Sequence, residues 1–151
     1  MKQKNYQNLT KNTLGKLPVW NLKDLYESPK AKNLNNDLNQ LRIITKKFEK
    51  KYSSKIAKLN PSQLLKAIIE LESIDIKIDK IMSYAHLLVA EDGNNENNKI
   101  FYQQMQEQIT NIASSIVFFS LELNEVSEAK LNKIYADKKL EPYKNLSLIH
   151  I

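Results

Sequence analysis

After Pro61 the chain runs to Gly93 without another proline or glycine, and apolar residues recur along it at helical spacing. Leu64, Ile68, Leu71, Ile74, Ile78, Ile81, Ala85 and Leu88 fall three or four apart, with Leu65, Met82 and Val89 beside them. That period belongs to a helix with one buried face. Asn60 is a good N-cap, and proline suits the first helical position because it has no N–H to leave unpaired. About 30 residues of helix reach about 45 Å, the full depth of a sizeable domain. A chain holding such a rod must arrange its other elements along it.

The rest of the sequence is equally short of breakers. Two glycines, Gly15 and Gly93, and four prolines punctuate all 151 residues. A sandwich or an α/β fold needs more turns than these supply, so the expected class is all-α with a few long helices. Four main helices are expected. The first covers Asn33 to Tyr52, with Leu34, Leu38, Leu41, Phe48 and Tyr52 facing inward and Ile44 beside them. The second is the rod. Glu91-Asp92-Gly93-Asn94-Asn95 is a short turn, so the third helix returns antiparallel to the second and the two form a long αα-hairpin. Asn94 or Asn95 caps the third helix, whose stripe is Phe101, Met105, Gln108 or Ile109, Ile112, Ile116, Phe119 and Leu123. Ser114 and Ser115 are small and would admit a close neighbour. Ser127 caps a shorter fourth helix to about Asp137, carrying Leu131, Ile134 and Tyr135 inward.

The organisation expected is a polar arm over residues 1–16, a helical domain over 17–145, and an abrupt apolar tail over 146–151 that looks cut off or non-native. Within Leu17 to Tyr26, Asn21 or Asp24 caps a short turn and Ser28-Pro29 ends it. Trp20 is expected to plug this segment into the body, with ligand stacking as the alternative.

Chemistry is largely absent from the residues. No cysteine is present, which removes disulfides, thiolate nucleophiles and cysteine-ligated zinc. The two histidines, His86 and His150, have no second histidine or carboxylate at ligand spacing. His86 is expected to be a partly buried structural residue beside the second helix's stripe. Neither a glycine-rich phosphate loop nor a Gly-x-Ser-x-Gly elbow occurs. Glu91-Asp92 and the Glu70/Glu72 pair read as solvated carboxylates, Asp75 and Asp79 with Lys77 and Lys80 as a surface-facing side, and Tyr84, Tyr102, Tyr135 and Tyr143 as rings buried with their hydroxyls out. The expected set of catalytic, cofactor-binding and metal-binding residues is therefore empty.

Net charge is +6, carried almost wholly by lysine, since Arg42 is the only arginine. Phosphate and base recognition leans on the guanidinium fork, so no nucleic acid partner is expected. Lys46, Lys47, Lys50 and Lys51 crowd one helix end, where cations complement the macrodipole. The N-terminus lacks the apolar core of a secretory signal, and no apolar run approaches the ~20 residues of a membrane span. The expectation is a cytoplasmic protein with no membrane partner.

Three blocks together resemble one family. Val19-Trp20-Asn21-Leu22-Lys23-Asp24-Leu25-Tyr26, followed by Ser28-Pro29, is similar to the Trp-Asp-Leu-x-x-Leu-Tyr opening of oligoendopeptidase F proteins. Ser83-Tyr84-Ala85-His86-Leu87-Leu88 and Phe118-Phe119-Ser120-Leu121-Glu122-Leu123 resemble that family's N-terminal helical region, in the same order and at similar spacing. Asn21 stands where the family usually has aspartate. The resemblance covers about Leu17 to Asn145. It implies a zinc metallopeptidase related to thimet oligopeptidase, which hydrolyses short peptides inside a large helical body. It further implies that this chain is an N-terminal part of that body, forming a wall of the substrate chamber and packing on a missing catalytic domain. The family's His-Glu-x-x-His motif has no match here, so zinc is expected in that missing domain and no catalytic residue carries over. The alternatives are an independent helical interaction module and, less favoured, a basic nucleic-acid-binding domain. An apolar face meant for absent protein would be left wet, so low stability or self-association is expected of the chain alone.

Overall fold

The computed structural model describes residues 21–136, and all regular structure in that span is helical. A 3-10 turn over Leu22–Asp24 precedes α1 (Lys32–Tyr52). A second 3-10 turn, Ile56–Lys58, leads to α2 (Pro61–Glu91). Then come α3 (Glu96–Ala113), α4 (Phe118–Asn124) and α5 (Glu128–Tyr135). The expected arm over 1–16, Trp20, Tyr143, His150 and the tail over 146–151 lie outside the described residues. So do the side chains of Ile134 and Tyr135.

The long helix begins as its sequence dictates. Asn60 Oδ1 accepts the Gln63 amide at 2.9 Å, and Gln63 Oε1 accepts the Asn60 amide at 3.1 Å. This reciprocal capping box satisfies two donors that a helix start leaves open, and Pro61 follows it at the first helical position. The 31 residues of α2 then rise about 46 Å. At its far end Asp92 Oδ1 accepts the Asn94 amide, and the Asp92 carbonyl accepts the Asn95 amide. Asn95 Oδ1 in turn accepts from Asn97 and Asn98, so Asn95 is the cap of α3. Asn98 Nδ2 donates back to the Leu88 carbonyl at 2.9 Å, tying the first turn of α3 to the last turn of α2.

α2 packs most extensively on α3, next on α1, and α1 also touches α3. The core lies between these three helices. From α1 it takes Leu34, Leu38, Leu41, Phe48 and Tyr52; from α3, Phe101, Met105, Ile109 and Ile112. Along α2 the fully buried residues are Leu64, Ala67, Ile74, Ile81, Tyr84 and Ala85, while Ile68, Leu71, Ile78 and Leu88 are partly buried against them. Thr45 is the one buried polar residue of α1, and its hydroxyl donates to the Leu41 carbonyl at 2.8 Å.

The third predicted helix is not continuous. It breaks over Ser114 to Val117, where Ser115 and Ile116 donate to carbonyls three residues back instead of four. Ser114 Oγ donates to the Asn111 carbonyl at 2.8 Å, the local competition by which serine loosens a helix. The tightened turn redirects the chain, and α4 lands on the 3-10 turn Ile56–Lys58. Phe118 and Phe119 then lie 5.9 and 5.7 Å from the Phe48 ring. Glu122 reaches the α1–α2 connection and accepts the Ser54 amide at 2.5 Å and the Ile56 amide at 3.2 Å. Ser54 has a positive φ of 62°, which turns its amide and that of Ile56 toward one carboxylate. Ser127 stands before α5 and accepts the Leu131 amide through its carbonyl; Leu131 is partly buried.

Candidate functional site

The most built polar arrangement in the fold surrounds Asp37, at the junction of the N-terminal segment, α1 and α2. Asn21 Oδ1 accepts the Lys23 amide at 3.2 Å and starts the short 3-10 turn. Leu22 and Leu25 pack partly buried against the core, and the turn delivers Tyr26 to a fully buried position. The Tyr26 ring meets Tyr84 of α2 edge-on, with centroids 5.3 Å apart at 71°. Tyr84 meets Phe101 of α3 edge-on at 6.0 Å. One aromatic ladder therefore joins the N-terminal segment to both arms of the hairpin. Such edge-to-face contacts set ring edges against ring faces, a favourable quadrupole arrangement.

The polar end of Tyr26 is satisfied by Asp37. Its hydroxyl donates to Asp37 Oδ2 at 2.8 Å. Lys77 Nζ donates to Asp37 Oδ1 at 3.2 Å and also to Gln40 Oε1 at 3.2 Å. Lys80 Nζ lies 3.7 Å from Asp37 Oδ2 and 4.4 Å from the Tyr26 ring centroid, a cation over a π face. Burial raises the Asp37 pKa, but the Tyr26 and Lys77 hydrogen bonds and the two lysine charges outweigh it, holding the carboxyl below its ordinary range. Burial, followed by the hydrogen bond to Asp37 and its negative charge, pushes the Tyr26 phenol far above its ordinary range. A phenol held protonated against an ionised carboxylate is a structural tie. It offers neither a nucleophile nor a base to an incoming molecule.

Other residues singled out by the sequence do not converge on this point or on each other. His86 is exposed, its ring 6.1 Å from Tyr102, and not partly buried as expected. The reason is rotational: Tyr84 and Ala85 hold the buried face, and the next residue turns about 100° away from it. Glu91 and Asp92 are exposed at the hairpin turn. Glu70 pairs with Lys51 at 2.6 Å, and Lys51 also lies over the Tyr52 ring at 4.7 Å. The C-terminal end of α1 is closed by Lys55, whose Nζ donates to the Lys50 and Lys51 carbonyls. Among the described residues no group of three or more histidine, cysteine or acidic side chains is placed to hold a metal ion. Nor is any helix there long and apolar enough to cross a membrane.

Neither protein-family models, curated proteins nor solved structures give a match to this chain.

The Asp37 cluster was missed in the sequence because its partners lie 11, 40 and 43 positions away. A signal was nonetheless present. Asp37 sits between Leu34 and Leu41 on the apolar stripe of α1, where a carboxylate needs a partner. Lys77 and Lys80, read as part of a solvated face, are those partners. Asp75 and Asp79 remain exposed.

Proposed function

We propose that this chain is an N-terminal helical part of an oligoendopeptidase F-like zinc metallopeptidase of the cytoplasm. Its helices form a wall of the chamber that admits short peptides. The observation that carries the reading is the contact of Tyr26 with Tyr84, which joins the first two blocks of the resemblance in one buried ladder. The third block serves the same purpose, since Phe119 is buried against Phe48 and Glu122 fixes the α1–α2 connection. Residues spent on holding helices together suit a wall.

The described residues do not fit zinc, so no hydrolytic step is derived from them. In this reading the metal, the His-Glu-x-x-His motif and the water it activates belong to a catalytic domain that packs on this one. Ile69 and Ile76 lie seven residues apart on one side of α2 and are 50% and 69% exposed. An apolar strip of that kind suits a face that meets further protein.

Two measurements test the proposal. The coding sequence downstream of Asn145 is expected to contain a His-Glu-x-x-His run; an open reading frame without one removes the assignment. Purified chain, given zinc and a quenched fluorescent peptide, is expected to show no cleavage that a chelator abolishes. Chelator-sensitive turnover above background would place the chemistry in this chain and sink the wall reading.

A further inference from the structure

Between α1 and α3 the surface opens into a groove of about 250 Å³, lined on one side by Arg42 and Lys46 and on the other by Gln108, Asn111 and Ser115, with Ile112 buried at its floor. Its two cations stand without a carboxylate partner, as Lys47, Lys50, Lys58 and Lys66 do elsewhere among the described residues. Lys51, Lys77, Lys80 and Lys99 each lie against a carboxylate. Arg42 does not. Its guanidinium donates once to Asn39 Oδ1 at 3.0 Å and once to Gln108 Oε1 at 2.7 Å, both neutral acceptors. These two bonds fix the plane of the fork without neutralising it, and they leave three of its five N–H donors for other use. Lys46, one helical turn further along α1, makes no ion pair among the described residues. Across the groove, Asn111 and Ser115 are also one turn apart, and there the side chains of both remain without a partner. The Gln108 amide nitrogen adds another neutral donor. Glu49 and Glu107 occur nearby in sequence, but neither lines the groove.

We propose that this groove is a binding site for a phosphomonoester dianion. Two uncompensated cations match its two charges, and a planar fork already held in place takes two of its oxygens side by side. The amide donors of α3 and the Ser115 hydroxyl just beyond it face the remaining oxygen. The volume accommodates the phosphate and a small organic group, and the groove's open side lets that group extend outward. A monocarboxylate satisfies one cation and leaves the other uncompensated, so it binds more weakly. The site stands on its own geometry and does not depend on the peptidase reading.

Titration of the full chain with inorganic phosphate at pH 7.5 and constant ionic strength, followed by nitrogen–proton NMR, tests this. The Arg42 side-chain signal and the Gln108 and Asn111 side-chain amides are expected to shift saturably, with acetate about tenfold weaker. Arg42→Gln and Lys46→Gln are each expected to weaken phosphate about tenfold, while Lys58→Gln leaves it unchanged. Lys46 bonds to no described residue, so its variant keeps the fold where the Arg42 variant loses the Gln108 contact. Shifts that do not saturate, that acetate reproduces equally, or that saturate in Lys46→Gln at the same phosphate concentration as in the wild type overturn the proposal.

Discussion

Replacing Asp37 with alanine removes the acceptor on which the N-terminal segment closes. The Tyr26 hydroxyl loses a 2.8 Å bond to an ionised carboxylate, and Tyr26 is 1% exposed, so water does not restore it fully. A hydrogen bond to a charged group in such a place contributes about 1.5–3 kcal/mol. Lys77 and Lys80 lose their partner too, but their side chains are 35% and 39% exposed, so solvent screening holds their share to about 0.5 kcal/mol. The expected loss is about 2–3 kcal/mol for Asp37→Ala. Tyr26→Phe is expected to cost about 1–2 kcal/mol, because the ring contact with Tyr84 survives. Urea denaturation of the wild type, both single variants and the double variant measures their coupling, expected at about 1–2 kcal/mol. Single effects that simply add, within about 0.5 kcal/mol, would refute the tie. The pH dependence gives an independent check. The folded-state pKa of Asp37 is depressed, so its stabilisation is present above the ordinary aspartate value near 3.9 and is lost as pH falls through the lower folded value. Asp37→Asn is expected to lack that acid loss, and its stability gap to the wild type should close below about pH 4.

Three further outcomes follow from the connections. Glu122→Gln sets an amide NH2, a donor, against one of the two backbone N–H groups that the carboxylate accepts, and is expected to cost about 1–2 kcal/mol in the same denaturation assay. Ser54→Gly releases a non-glycine residue from positive φ and is expected to be neutral or to gain up to about 1 kcal/mol; a loss beyond that range would mean the serine side chain itself is needed. Gly93→Ala is expected to raise the melting temperature slightly, by about 0.4–1 kcal/mol of stability, since an added Cβ would sit 3.7 Å from the Val89 carbonyl oxygen, an ordinary contact.

Local chemistry explains what the sequence made legible. The α1 stripe Leu34, Leu38, Leu41, Phe48 and Tyr52 is buried as its spacing requires, and so are Phe101, Met105, Ile109, Ile112, Ile116 and Phe119 beyond the hairpin turn. Asn60 and Asn95 cap where capping chemistry places them. Periodicity could not reveal the break at Ser114. The apolar residues on either side keep the same phase, so the pattern reads as one helix while the hydrogen bonds tighten beneath it. Nor does spacing encode which charged residue meets which. Asp37 joins residues of two other elements, and Arg42 joins Gln108 across 66 positions. The groove likewise exists only once α1 and α3 are side by side.

The Glu122 clasp also sets an order of events. The α2–α3 hairpin closes through a turn of a few residues, and its side-chain turn and capping bonds span two to ten positions. Glu122 must instead find Ser54 and Ile56 across 68 and 66 positions, after the chain has run the length of α2 and back. Closing so long a loop has an entropic cost that contacts already made by the hairpin reduce. The clasp is therefore expected to form after the hairpin turn and to open before it. The Ser54 and Ile56 amides should exchange with solvent ahead of those at Ile74 and Ile81 in the rod. A helix that looks unbroken in the sequence thus ends in a latch that joins α4 back to the α1–α2 connection.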